Sequence, residues 1–264
     1  MADRLTILKV EQDENINLQT NQQDVWATAI KVISNCVPFG SPVGELITSV
    51  IPNQKIDRVI KVTEKFNKQL IDYNSKQDDV RKRITILELK TAEFGDLFEE
   101  GANQASRALT DERLDYIASL LKNSLTDEDL EHIGKKKLLS ILNELNDAEI
   151  VWLKSYPVNG TIGSVEYKEF YDRHEDILEP VRITFGIPKN TAQKLYDEDA
   201  IQKSYRNNLL NLRLISESFK SMKKGEMPEF DNKTGKIKVS HYKCSNLGDL
   251  LLRYIDLGKV EETE

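Results

Sequence analysis

From residue 56 to residue 87, apolar side chains recur at alternating three- and four-residue spacings, and only a helix brings such positions onto one face. The stripe reads Ile56, Val59, Thr63, Phe66, Leu70, Tyr73, Gln77, Val80, Ile84 and Leu87, with Thr63 and Gln77 its only members that are not hydrophobic. Asn53 can cap it. Asp57 with Lys61, Glu64 with Lys68, Asp78 with Lys82 and Asp79 with Arg83 set acid four residues before base on its outer face. The spacing predicts one continuous helix of about 35 residues, roughly 50 Å long at 1.5 Å per residue. A helical framework follows from this, but no chemistry does, because a packing stripe records only what a helix rests on.

Other segments extend the helical reading. A helix from Asp24 places Trp26, Ile30 and Ile33 on one face, and Ser41 with Pro42 opens a short apolar helix that ends at Pro52. Phe94, Leu97 and Phe98 continue the pattern. Thr110 before Asp111 and Glu112 starts a helix carrying Leu114, Ile117 and Leu121, and Thr126 before Asp127, Glu128 and Asp129 repeats that cap-and-acid device. Leu138, Ile141, Leu142 and Leu145 form a further apolar face. Later, Ser164 caps a helix presenting Tyr167, Phe170, Tyr171 and Ile177, and a long helix carries Leu195, Ile201, Tyr205, Leu209, Leu212, Ile215 and Phe219. Beyond it the period changes to two. Ile237, Val239 and His241, after a turn over Asp231–Lys236, predict one strand of a hairpin with Phe230 near the end of the other, and a last helix covers about residues 247–257.

The sequence therefore predicts a mainly α chain, with a helical-bundle domain over residues 1–135 and a winged-helix-like α+β domain with one small hairpin over 136–264. The turn-rich stretch Pro157–Gly163 makes that boundary a soft one.

Composition narrows the function classes. The 264 residues carry 37 basic and 44 acidic side chains, a net charge of -7, with both signs interleaved, which argues against nucleic-acid binding by bulk positive charge. Cys36 and Cys244 stand far apart without metal-ligand spacing, which suits a reducing cytosol and predicts no zinc. The polar, acidic start lacks the pattern of a secretory signal, and no apolar run is long enough to span a bilayer. A cytoplasmic location follows, with a peripheral place at the inner membrane as its variant.

Candidate chemistry is sparse. Asp127, Glu128, Asp129 and Glu131 with His132 suit a helix N-terminus better than a metal site. His132, His174 and His241 sit in no ligand spacing. Asp231 opens a string like a calcium loop, which fails where Lys233 and Tyr242 replace oxygen ligands, so a turn with Gly235 at positive φ explains it better. Phosphate loops and nucleophile elbows are absent. No enzyme class, cofactor or metal is expected.

Two constellations remain. Phe39, Val43, Leu46, Ile47, Val50 and Ile51 form an apolar segment interrupted by proline and glycine; burial against a bundle is the leading explanation, and contact with a membrane or partner is the functional alternative. The order of elements from Leu138, with a hairpin and then a helix from Leu247–Gly248, resembles a winged-helix layout. Lys233, Lys236, Lys238 and Lys243 would be its nucleic-acid contacts. Residues 138–257 hold 17 basic and 18 acidic side chains, so a protein-contact module ranks above a DNA-binding regulator.

The string Glu112-Arg-Leu-Asp-Tyr-Ile-Ala-Ser-Leu-Leu121, followed by Leu138 to Tyr156, resembles bacterial helical proteins of the abortive-infection alpha type over residues 36–156. That resemblance implies a setting in defence against phage and brings no catalytic residues. The expectation is a non-catalytic interaction protein with a protein partner, with a membrane surface or self-association as further contacts. In this reading the 37–51 segment is packed away at rest and released when the C-terminal half senses a trigger.

Overall fold

The computed structural model describes residues 56–89, 91–156, 165–182, 189–222, 225, 227–232 and 235–258. The expected helices near Asp24 and Ser41, and the cap at Asn53, lie outside these residues. The described chain is mainly helical with a small two-stranded antiparallel hairpin.

The long stripe forms two helices, which corrects the expectation of one. Helix α1 (Ile56–Ser75) ends where the amides of Lys76 and Gln77 bond the carbonyls of Tyr73 and Asn74 at 3.1 and 3.2 Å, and α2 (Asp79–Glu88) begins afresh. The break has a local cause. Asp78 is extended, and its carboxylate accepts the Arg81 amide at 2.7 Å, an N-cap role that short acidic side chains favour over a helix interior. Val59, Thr63, Phe66 and Leu70 are buried, whereas Val80 and Leu87 beyond the break are 67% and 64% exposed. Lys61, one of the basic partners, reaches across to another helix, where it meets Asp111 at 3.7 Å, and Lys65 beside it meets Asp115 at 2.6 Å.

Helices α3 (Ala92–Ala105) and α4 (Asp111–Thr126) pack against α1. Thr91 and Thr110 cap them, accepting the amides of Phe94 and Arg113 at 3.2 Å. The Phe66 ring stacks on Phe94 at 5.8 Å and meets Phe98 edge-on at 5.9 Å. Gly101 lets α3 approach α4, since a Cβ there would stand 3.0 Å from a Leu121 methyl.

The second cap-and-acid device does not start a helix. Thr126 is the last residue of α4, and its hydroxyl bonds back to the Lys122 carbonyl at 3.1 Å. Asp127, Glu128 and Asp129 lie in the connection to α5 (His132–Glu144), which has no acidic residue in its first turn. The helix-terminus explanation is thereby corrected for Asp127, Glu128 and Asp129, whereas Glu131 does stand at the N-cap of α5, before His132. Asp127 accepts the Asp129 amide at 2.8 Å, and Glu128 pairs with Arg81 of α2. The buried face of α5 contains Leu138, Leu139, Ile141 and Leu142.

Asn146 and Glu149 form a capping box on α6 (Asp147–Ser155). Then follow α7 (Val165–Arg173), α8 (Glu175–Leu178) and α9 (Lys189–Asn211), with α6 packed on both α8 and α9. Ile177, expected on the same helix as Tyr167, belongs to α8. Ile215 and Phe219, expected on the helical stripe, belong to a strand. At the end of α9 the Leu214 amide bonds the Leu209 carbonyl, the Arg213 amide bonds that of Leu210, and Arg213 adopts φ +58°, the reversal that closes a helix.

Strand β1 (Ile215–Phe219) pairs antiparallel with β2 (Val239–Cys244), in the register Ile215 to Cys244 through Phe219 to Val239, with an irregularity after Ser218. Phe230 and Ile237 form a separate bridge closed by the Asp231–Lys236 turn, in which Gly235 takes φ +67°. Helix α10 (Asn246–Tyr254), capped by Ser245, returns to pack on α4. Among the described residues, no helix is long and apolar enough to cross a membrane.

Candidate interaction surface

The hairpin is fixed at its base and exposed toward its tip. At the base, Ile215 and Cys244 are buried, the Ser245 amide bonds the Leu214 carbonyl at 2.9 Å, and the Ser245 hydroxyl donates to the Arg213 carbonyl at 2.7 Å. Tyr242 of β2 adds a second anchor. The Arg206 guanidinium of α9 lies 5.1 Å from the Tyr242 ring and 5.6 Å from that of Trp152 on α6, while Tyr156 meets Tyr242 edge-on at 6.3 Å. Three elements are joined by one cation between aromatic faces. Burial raises the Tyr156 phenol above its ordinary pKa, and the Arg206 charge pulls it back.

Beyond this base the side chains face solvent. Phe219, Met222, Met227, Phe230 and Ile237 are all exposed, Phe230 by 54% and Met227 by 87%. Residues 215–244 carry seven lysines and four acidic side chains, so this segment is +3 in a chain of -7. Glu229 sits between Lys220 at 3.4 Å and Lys238 at 3.7 Å, and these charges, Lys220 foremost, hold its carboxyl below the usual range. Among the described residues the result is an apolar surface on a fixed stem, with Lys220, Lys236, Lys238 and Lys243 exposed along it.

Of the sequence-selected lysines, Lys236, Lys238 and Lys243 lie on this hairpin and are exposed, while Lys233 lies outside the described residues. Phe39, Val43, Leu46, Ile47, Val50 and Ile51 also lie outside them. Sequence reasoning missed Phe219, Met222, Met227 and Lys220. The signal available was the run of Lys220, Lys223 and Lys224 after an alternating Ile-Ser-Glu-Ser-Phe, which is a strand pattern.

Cys244, His132 and His174 each make local contacts. Burial pushes the Cys244 thiol up to about 12, with Asp249 adding to the effect, so it remains a protonated core side chain. His132 meets Asp96 at 3.2 Å, beside Lys136 on the same carboxylate at 2.7 Å, and the His174 ring packs on Phe170 at 4.8 Å. Among the described residues, no group of three or more His, Cys, Asp or Glu side chains could hold a metal ion. What the hairpin offers is exposed apolar area with exposed lysines beside it. Comparison with protein-family models, with curated proteins and with solved structures finds no match for this chain.

Proposed function

We propose that this chain works by contact and not by catalysis, presenting the β1–β2 hairpin to an acidic, partly apolar surface of a partner protein. One observation carries this reading: five large apolar side chains stand exposed on a +3 hairpin and its connection, in a chain that is otherwise acidic. Exposed apolar clusters rimmed by charge gain free energy when covered, and the lysines would steer an acidic partner toward them. The resemblance of residues 112–121 and 138–156 to abortive-infection proteins supports a setting in phage defence. The locally basic hairpin favours a second reading, a winged-helix-like DNA contact, which would weaken steeply with salt.

A photo-crosslinking residue placed at Phe230 in producing cells tests the proposal, with Leu109, 88% exposed on the α3–α4 connection, as the control site. Protein adducts at position 230 and none at 109 are the expected result. Adducts to nucleic acid at 230 would favour the DNA contact, and equal labelling at both sites would overturn the hairpin as a contact surface.

A further inference from the structure

We infer that the groove between α8 and α9 receives the hairpin of a second copy of this chain. The inference rests on the hairpin reading above and names its partner. The groove has a volume of about 530 Å³, and its apolar lining includes Leu195, Ile201 and Tyr205. Its polar lining is mostly acidic. Glu175, Asp176, Glu179 and Glu198 line it, against Arg182 as the sole cation among its lining residues. Among the described residues, Glu175, Asp176 and Glu179 have no ion-pair partner, whereas Glu198 meets Lys194 at 3.6 Å.

The groove is braced. Gln202 of α9 accepts the Val181 amide at 3.2 Å and donates to the Glu179 carbonyl at 2.8 Å, holding the segment after α8 against α9. A ligand would thus meet a surface already formed, which lowers the ordering cost of binding.

The complementary shape is carried by the same chain. Phe230 and Ile237 face each other across the bridge at the hairpin turn, with Lys236 and Lys238 on either side of Ile237. The apolar pair matches the groove's Leu195, Ile201 and Tyr205, and the net +3 of residues 215–244 complements its carboxylates, with Lys238 also meeting Glu229 at 3.7 Å within the hairpin. Among the described residues, none of the hairpin lines the groove within one chain. A +3 hairpin in a chain of -7 leaves -10 elsewhere, so copies attract through this pairing of surfaces and repel through most others. Reciprocal exchange of hairpins would close a two-fold dimer.

Sedimentation velocity of the full chain over a concentration series, at low and physiological salt, tests this. The expected result is dimerisation that tightens at low salt and weakens by roughly tenfold or more in Glu175→Lys/Glu179→Lys and, separately, in Phe230→Ser. All three positions are exposed, and circular dichroism checks that helix content is unchanged. Mixing the two variants should restore a one-to-one complex, because one intact hairpin and one intact groove remain. A wild-type chain that stays monomeric overturns the inference, as does a groove variant that associates like wild type. Association lost only on Phe230→Ser overturns the groove as receptor while leaving the hairpin a contact surface; association unaffected by either variant, with no adducts at position 230, removes both readings.

Discussion

The hydroxyl of Tyr254 on α10 donates to Oδ2 of Asp127 at the end of α4, joining residues 127 positions apart in sequence. Beside it, Asp256 accepts from Lys122 Nζ at 2.9 Å and from Asn123 Nδ2 at 2.9 Å. The last described helix is therefore locked to the bundle by a polar cluster around buried Tyr254 and Ile255.

Tyr254→Phe should cost about 1.5–3 kcal/mol, the range for hydrogen bonds to charged groups. Burial raises the Asp127 carboxyl, but the Tyr254 hydroxyl and the amides of Asp129 and Leu130 outweigh it and hold the carboxyl below its ordinary value. The folded pKa is thus depressed, so the contribution is fully present above the unfolded value of about 3.9 and is lost as pH falls through the folded one. Urea unfolding at a series of pH values should show the gap between wild type and variant widest above about pH 5 and narrowing toward acid. A gap independent of pH would refute this assignment.

Gly248→Ala should be among the most damaging single changes. A Cβ at this position would lie 2.2 Å from the Leu214 carbonyl oxygen and 2.8 Å from the Cys244 sulfur. The first of these is backbone and cannot rotate aside, so α10 would have to move off the β1 entry. A loss of about 2–4 kcal/mol is expected by thermal or chemical denaturation.

Arg213→Gly should stabilise the protein. Arg213 is exposed and holds φ +58°, a conformation costing a side-chain-bearing residue about 1–2 kcal/mol and glycine nothing. Greater freedom of glycine in the unfolded chain offsets part of the gain, leaving about 0.5–1 kcal/mol. A lower melting temperature would show that the side chain makes a contact worth more than the strain.

Phe66→Ala should lose about 3–5 kcal/mol, because Phe66 is buried against two other rings. By contrast, Phe230→Ser should change the stability of the monomer, measured at protein concentrations too low for self-association, by less than about 0.5 kcal/mol, as usual for an exposed position. The pair separates core from contact surface in one set of denaturation curves.

Arg206→Ala should loosen the hairpin without unfolding the bundle. The cation between Trp152 and Tyr242 is worth about 0.5–2 kcal/mol. Hydrogen exchange should quicken at the amides of residues 239–243 while those of α4 keep their protection.

Much of the helical architecture is legible in local chemistry. Thr110 caps the helix it precedes, and Leu138, Ile141 and Leu142 bury the face their spacing defines, because caps and 3.6-residue periodicity act over a few residues. Gly235 takes its positive φ for the same local reason. What failed is instructive. The stripe through Val80 and Leu87 keeps its period across Asp78, yet periodicity carries no record of a cap inside it. The helical spacing of Ile215 and Phe219 with Leu209 and Leu212 hides the reversal at Arg213, since a left-handed residue that is not glycine leaves no mark in the sequence. Thr126 with three acids has the composition of a helix start, and only the placement of Arg81 and Tyr254 from elsewhere in the chain decides that those acids serve a connection. The hairpin surface is tertiary in the same sense. Lysines are visible in the sequence, but exposure of Phe219 and Phe230 follows from where Arg206, Trp152 and Tyr156 hold the stem, and long-range packing of that kind is set by the assembled fold alone.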